Sequence, residues 1–355
     1  MVIIKSRLIK SFVFLTFALS LNACGNNQSR EGVGKNGEPP SITVPFESNL
    51  TITGAGATFP APLYQNWFVL LNRLVPRLQV NYQSVGSGAG IEQFTRNTVD
   101  FGASDVAMKD DEIAKVSRGV VLLPVTAGSV VLAFNNKDVT TVKLTRQQLA
   151  DIFLGKITNW NQIGSPKSKP IRVIYRSDGS GTTGVFTKHL AAINSEWKSK
   201  VGEGTTVQWP AGIGAKGNEG ITATILQTDG AIGYIEYGFA KKNGLKTAQL
   251  QNKAGKFIAP TPQNAAVSLS QIQLPANLRA FAPDPSGDRS YPIVSFSWIL
   301  AYKKYPDAKK AQSLKQVLTW AVSKTGGQKF SADLGYIPLP DNVIQKVTAA
   351  INTIS

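Results

Sequence analysis

Along residues 49–355, short apolar runs alternate with longer stretches whose apolar positions recur every three or four residues. Residues 50–54 form a β-like run. Residues 60–75 place Leu63, Trp67, Leu70, Leu71 and Leu74 on one helical face, with Pro60 and Pro62 confined to the first turn, where a missing N–H costs least. Residues 78–83 alternate as a strand, 91–97 read as a helix, 99–104 as a strand and 110–116 as a helix. This repeated β-α order predicts an α/β domain with a largely parallel sheet. A second unit is expected after the apolar run from Val120 to Leu123, which Pro124 closes. In it, 129–135 reads as a buried strand, 145–155 as a helix, 171–175 as a strand and 185–193 as a helix. Residues 291–302 read as one more strand, and helices over 306–324 and 341–353 end the pattern. Two lobes are expected, linked by strands that cross near 125–131 and 291–297, with a cleft between them.

The first 48 residues follow other rules. Residues 1–10 carry Lys5, Arg7 and Lys10 without an acid, and residues 11–21 form an apolar run too short to span a bilayer. That pattern predicts a signal peptide over 1–23. It ends at Leu21-Asn22-Ala23-Cys24, which resembles a bacterial lipobox, so Cys24 is the expected site of lipid modification. Cys24 is also the only cysteine, which excludes intrachain disulfides. Residues 24–48, rich in Gly, Asn, Ser and Pro, read as a flexible tether.

Charge and composition narrow the chemistry. The formal charge is +16, and removing the three basic residues of the leader leaves +13. The basic residues are spread thinly, in pairs such as Lys241-Lys242 and Lys303-Lys304, so nucleic acid is not the expected partner and steering of small anions is. No His, Cys and carboxylate cluster has metal spacing, and no Gly-x-x-x-x-Gly-Lys-[Ser/Thr] motif is present, so neither a metal, a cofactor nor ATP hydrolysis is expected in this chain. Ser180 lacks the Gly-x-Ser-x-Gly elbow. The single histidine, His189, reads as a surface or partly buried helix residue rather than a base. An enzyme is therefore not expected.

Three loops share one composition: Thr58-Phe59-Pro60, Gly86-Ser87-Gly88 and Arg176-Ser177-Asp178-Gly179-Ser180-Gly181-Thr182 each put hydroxyl or glycine residues ahead of a helical pattern. Helix N-termini present unpaired N–H groups and the positive end of the macrodipole, and glycine lets an oxyanion approach the backbone. Three such loops predict an anion site. Thr58, Ser87 and Asp105 all follow strands, at the edge where α/β sheets bind ligands.

Those loops sit inside longer motifs: Gly54-Ala-Gly-Ala-Thr-Phe-Pro-Ala-Pro-Leu-Tyr64, Val99-Asp-Phe-Gly-Ala-Ser-Asp105, Asp178-Gly-Ser-Gly-Thr182 and Gly230-Ala-Ile-Gly-Tyr-Ile-Glu-Tyr237. With Leu149-Ala-Asp-Ile-Phe-Leu-Gly-Lys-Ile-Thr-Asn-Trp160, Trp209-Pro-Ala-Gly-Ile-Gly-Ala-Lys-Gly217 and Leu334-Gly-Tyr-Ile-Pro-Leu-Pro340, they resemble, in order from about residue 50 onward, the phosphate-binding component of bacterial phosphate ABC transporters. The resemblance implies a two-domain periplasmic binding-protein fold with a two-segment hinge, domain I from 49–125 and 297–355, and domain II from 126–296. It implies phosphate contacts at Thr58, the Phe59 N–H, Ser87, Asp105, Arg176, Ser180, Gly181 and Thr182, flanked by Ala57, with Asp178 orienting Arg176. An ionised Asp105 would accept from the P–OH of a protonated phosphate, whereas sulfate has no proton to give. The implied partners are inorganic phosphate, ABC permease subunits with a separate ATPase, and a membrane through lipid on Cys24. The competing readings are a surface phosphate sensor or adhesin-like paralogue, and a lipid-anchored phosphatase.

Overall fold

The computed structural model describes residues 49–355; the leader, Cys24 and the tether lie outside the described residues. The chain runs β1 (Leu50–Gly56), α1 (Ala61–Leu74), β2 (Leu78–Ser84), α2 (Ser87–Thr95), β3 (Phe101–Ser104), the single turn α3 (Asp110–Ile113) and the long β4 (Val120–Asn135). It continues through β5 (Lys143–Leu144), α4 (Arg146–Phe153), β6 (Arg172–Arg176), α5 (Gly181–Ile193), α6 (Ser195–Lys200), β7 (Ile213–Ala215), α7 (Gly217–Gln227), β8 (Ala231–Glu236) and α8 (Tyr237–Lys242). Then follow β9 (Lys246–Thr247), β10 (Gln249–Gln251), β11 (Phe257–Ile258), α9 (Pro262–Ser270), β12 (Val294–Tyr302), α10 (Ala308–Val322) and α11 (Asp341–Ile351). No helix among the described residues is long and apolar enough to cross a membrane.

The strand order β2-β1-β3-β12-β4-β8-β6-β7 shows how the two lobes are joined. In lobe I, β1 lies parallel to β2 and β3; in lobe II, β6 lies parallel to β7 and β8. Between them β12 is antiparallel to β3 and β4, and β4 is antiparallel to β8. The expected largely parallel sheet is therefore mixed. The reason is connectivity: the chain leaves lobe I along β4 and returns along β12, so neighbouring linkers run in opposite directions.

Pro124 does not end a strand, contrary to the sequence expectation. β4 is one continuous strand of 16 residues, buried from Val120 to Phe134. Its register with β12 shifts between Ser297 and Trp298, which oppose Thr126 and Pro124, so Val125 is left over as a bulge. A bulge is where a sheet tolerates proline. The Val125 carbonyl is satisfied by Gln328 Nε2 at 2.9 Å. Pairing of β4 then passes from β12 at Ser129 to β8 at Val130.

Two side chains depart from their expected environments. The core stripe of α1 runs through Tyr64, Trp67, Phe68 and Leu71, while Leu74, the last residue of the helix, overhangs it and is 62% exposed. His189 is fully buried, because α5 is covered on nearly every side. Its Nδ1 lies 2.6 Å from the Pro283 carbonyl and so carries the proton. Burial lowers the imidazole to about 4, which leaves it neutral at physiological pH.

Candidate functional site

All three predicted anion loops lead into helices. Thr58 and Phe59 join β1 to α1, Ser87 opens α2, and Ser180 is the N-cap of α5, accepting from the Thr183 N–H at 3.0 Å. Gly86 takes φ 95° ahead of α2, a left-handed conformation suited to glycine. Asp105 directly follows β3, and Arg176 is the last residue of β6. Thus Thr58, Ser87 and Asp105 come from lobe I, and Arg176 to Thr182 from lobe II.

The lobes meet over these residues. Gly88 N–H donates to the Gly179 carbonyl across the cleft at 2.8 Å. A Cβ on Gly181 would lie 2.4 Å from Ser87 Oγ and 2.8 Å from the Asp105 nitrogen, so only glycine permits this approach. Thr58, Ser87, Asp105, Arg176, Ser180 and Thr182 are all buried. Ala57 lies beside them with its N–H committed to the Ala103 carbonyl at 2.9 Å. Phe59 is buried, and its carbonyl accepts from Tyr336 Oη at 2.7 Å.

The pocket hydroxyls share one polarity. Thr58 Oγ1 accepts from the Asn218 N–H at 3.1 Å and from Asn218 Nδ2 at 2.7 Å. Ser87 Oγ accepts from the Asp105 N–H at 3.2 Å. Ser180 Oγ accepts from Thr183, and Thr182 Oγ1 takes long contacts from Arg176 Nη1 at 3.4 Å and Asn218 Nδ2 at 3.3 Å. Because an N–H only donates, each hydroxyl must accept there and turn its own hydrogen elsewhere. The hydroxyls of Thr58, Ser87 and Ser180 are thereby left to donate, while that of Thr182 turns to Asp105 Oδ2. Such a shell complements an oxyanion.

The charges are arranged against that shell. Arg176 donates from Nε to Asp178 Oδ1 at 2.8 Å and from Nη2 to Oδ2 at 2.6 Å, a bidentate pair that fixes the guanidinium plane. Burial raises the Asp178 carboxyl, but the Arg176 guanidinium and the Gly217 N–H outweigh it and hold the group below the ordinary range. Asp105 is the second carboxyl of the site. Its Oδ1 takes the Ser297 hydroxyl at 2.9 Å and its Oδ2 the Thr182 hydroxyl at 3.3 Å. Burial raises its carboxyl to about 7, against the opposing pull of Ser297, Arg176 and Thr182. Near neutrality it therefore carries a proton part of the time, where the sequence reading takes it as ionised.

Three supporting residues escaped the sequence reading. Tyr234 Oη accepts from the Arg176 N–H at 3.0 Å and shares a hydrogen bond with Thr183 Oγ1 at 2.6 Å, pinning both ends of the arginine loop. Ser297, from β12, holds Asp105. Asn218, second residue of α7, reaches both threonines. Signals for two of them were present: Tyr234 lies inside a quoted motif, and Asn218 directly follows another that ends at Gly217.

A family model described as a PBP superfamily domain matches residues 30–325. The chain is 39% identical over 315 residues to the phosphate-binding protein PstS of Pasteurella multocida, covering 85% of this chain and 90% of the relative. It is 38% identical over 323 residues to the phosphate-binding protein PstS of Haemophilus influenzae, covering 88% and 95%. Among solved structures, it matches that of a high affinity periplasmic phosphate-binding protein (PfluDING) bound with phosphate, with a TM-score of 0.74 and 25% identity, over 84% of this chain and 93% of that one. Fold and pocket define a two-lobed substrate-binding protein of the PBP superfamily. Within that class, the chain belongs to the PstS family of phosphate-binding proteins.

Proposed function

We propose that this protein is an extracytoplasmic receptor that binds inorganic phosphate between its lobes and delivers it to an ABC permease driven by a separate ATPase. The observation that carries this reading is the set of four buried hydroxyls, each accepting a protein N–H, around one guanidinium and one carboxyl. In the proposed complex the Thr58, Ser87 and Ser180 hydroxyls donate to the anion with the Phe59, Gly181 and Thr182 N–H groups, while Arg176 supplies the fixed positive fork. Asp105 pairs with the proton of the ligand. Domain I is taken as 49–125 with 297–355, and domain II as 126–296. This reading contains no catalytic step.

Calorimetric titration of the mature protein with phosphate tests it directly, and absence of saturable binding would refute it. Sustained turnover of a phosphomonoester would instead favour a phosphatase. Membrane attachment is proposed through lipid on Cys24, since two or more acyl chains give stable anchoring where one is marginal. Cys24→Ser should then release the protein from the membrane fraction and abolish metabolic lipid labelling; unchanged labelling would remove Cys24 from the account.

A further inference from the structure

We propose that Asn218 is a positioning residue for anion capture: carried by lobe II, its carboxamide turns the Thr58 hydroxyl of lobe I into an anion donor as the lobes meet. This rests on the reading that the Thr58 hydroxyl donates to phosphate. Asn218 is fully buried at the start of α7, directly after Gly217, whose φ of 72° belongs to the left-handed region. The Gly217 N–H donates to Asp178 Oδ1 at 3.0 Å, which ties the start of α7 to the carboxylate that holds Arg176.

The orientation of the carboxamide follows from its neighbours. The backbone N–H of Glu236, at the end of β8, meets Asn218 Oδ1 at 2.9 Å. A backbone N–H cannot accept, so the facing atom is the oxygen and the opposite atom is the amide nitrogen. That nitrogen carries two hydrogens. One goes to Thr58 Oγ1 at 2.7 Å and the other makes the longer contact to Thr182 Oγ1 at 3.3 Å. With the Asn218 N–H also on Thr58 Oγ1 at 3.1 Å, both lone pairs of that hydroxyl are filled, and its hydrogen is left to donate.

The location gives this arrangement its consequence. Thr58 belongs to lobe I and Asn218 to lobe II, so the two bonds to Thr58 exist only when the lobes touch. With the lobes apart the Thr58 hydroxyl is free to rotate; closure fixes it as a donor. An asparagine serving only as a helix cap would turn its oxygen to its own first-turn N–H groups, whereas this oxygen serves β8. Asn218 therefore joins closure to anion affinity, and its effect belongs to the dissociation of bound phosphate rather than to its arrival.

The test is a double-mutant cycle on the mature protein with inorganic phosphate as the probe, using Asn218→Ala, Thr58→Val and the pair, with rates by stopped flow. Each single variant should weaken phosphate binding by roughly ten- to a hundredfold, seen mainly as faster release. The double variant should be little worse than either single one, because removing Asn218 already idles Thr58. Asn218→Asp keeps the shape and the Glu236 contact while replacing the donor by a carboxylate. It should bind worse than Asn218→Ala, and its affinity relative to wild type should recover as pH falls into the carboxyl range, where the acid regains a hydrogen. Losses that multiply in the double variant, or wild-type release rates in Asn218→Ala and Asn218→Asp, would overturn the proposal. Absence of phosphate binding by the wild-type protein would instead overturn the reading on which it rests.

Discussion

In lobe II the Arg176 guanidinium is held by Asp178 and its backbone by Tyr234, all within one lobe. In lobe I, by contrast, Thr58 takes both of its donors from Asn218 across the cleft, and Asp105 takes one of its two carboxyl contacts from Thr182. The contacts that hold the first half need no second lobe. The other is completed only on contact. In the proposed complex, an anion that meets the first half would gain a positive fork and a helix N-terminus before Asp105 pairs with its proton. The proposed complex thus divides capture and selection between the lobes, and a ligand touching both would favour the closed state by its differential affinity.

Removing the fixed charge of lobe II should break the comparison most severely. Arg176→Ala is expected to weaken phosphate binding by roughly 2 to 5 kcal/mol, the range for truncating one partner of a buried charged pair, and it leaves Asp178 without its guanidinium. Lysine should recover only part, because it lacks the planar fork. Calorimetry that finds wild-type affinity in the alanine variant would move recognition off lobe II.

The carboxyl of lobe I should report through pH. Burial raises Asp105 from 3.8 to about 7, so over that interval the folded protein keeps a proton that the unfolded chain has already released. Folding stability should therefore fall as pH rises from about 4 and level off above about 7, by roughly 2 to 4 kcal/mol from this residue. Burial raises Glu236 as well, so the same trend has a second contributor. Urea midpoints of phosphate-free protein across this range should slope downward, and Asp105→Asn should flatten the slope in part. An unchanged slope in that variant would show that Asp105 is not held as described.

A smaller effect is expected where the halves touch. Gly181→Ala puts a methyl group 2.4 Å from Ser87 Oγ, a clash that arises only with the lobes together. Phosphate affinity should drop by about 1 to 3 kcal/mol, the usual cost of overpacking, with little change in the stability of the ligand-free protein. If both quantities fell equally, the contact would belong to the fold rather than to closure.

The lobe II half was readable largely because it is contiguous: strand end, arginine, glycine-rich turn and helix cap occupy one stretch from Arg176 to Thr182. Thr58 and Ser87 were readable from loop composition ahead of helical patterns. What remained hidden comes from distant segments. Ser297 reaches Asp105 from β12, and Asn218 reaches Thr58 from a helix 160 positions away. No local pattern encodes such pairings. The same holds for the errors: Pro124 looks like a strand end until a bulge opposite Ser297 and Trp298 accommodates it, and His189 looks accessible until the segment carrying Pro283 covers it.

The most direct measurement is competition between phosphate and sulfate above the Asp105 titration, comparing wild type with Asp105→Asn. Sulfate matches phosphate in shape and charge, so in the proposed complex Arg176 and the hydroxyl shell would serve both, and discrimination would fall to the carboxylate and the proton of the ligand. A site built to pair a hydroxyl rejects an analogue lacking it by about 10⁴ to 10⁵, because a buried polar group is left unpaired. The account predicts strict exclusion of sulfate by the wild-type protein. In Asp105→Asn, whose amide oxygen still accepts from P–OH, phosphate should bind with modest change while sulfate begins to compete. Comparable binding of the two anions by wild type, or undiminished exclusion of sulfate by the asparagine variant, would contradict it.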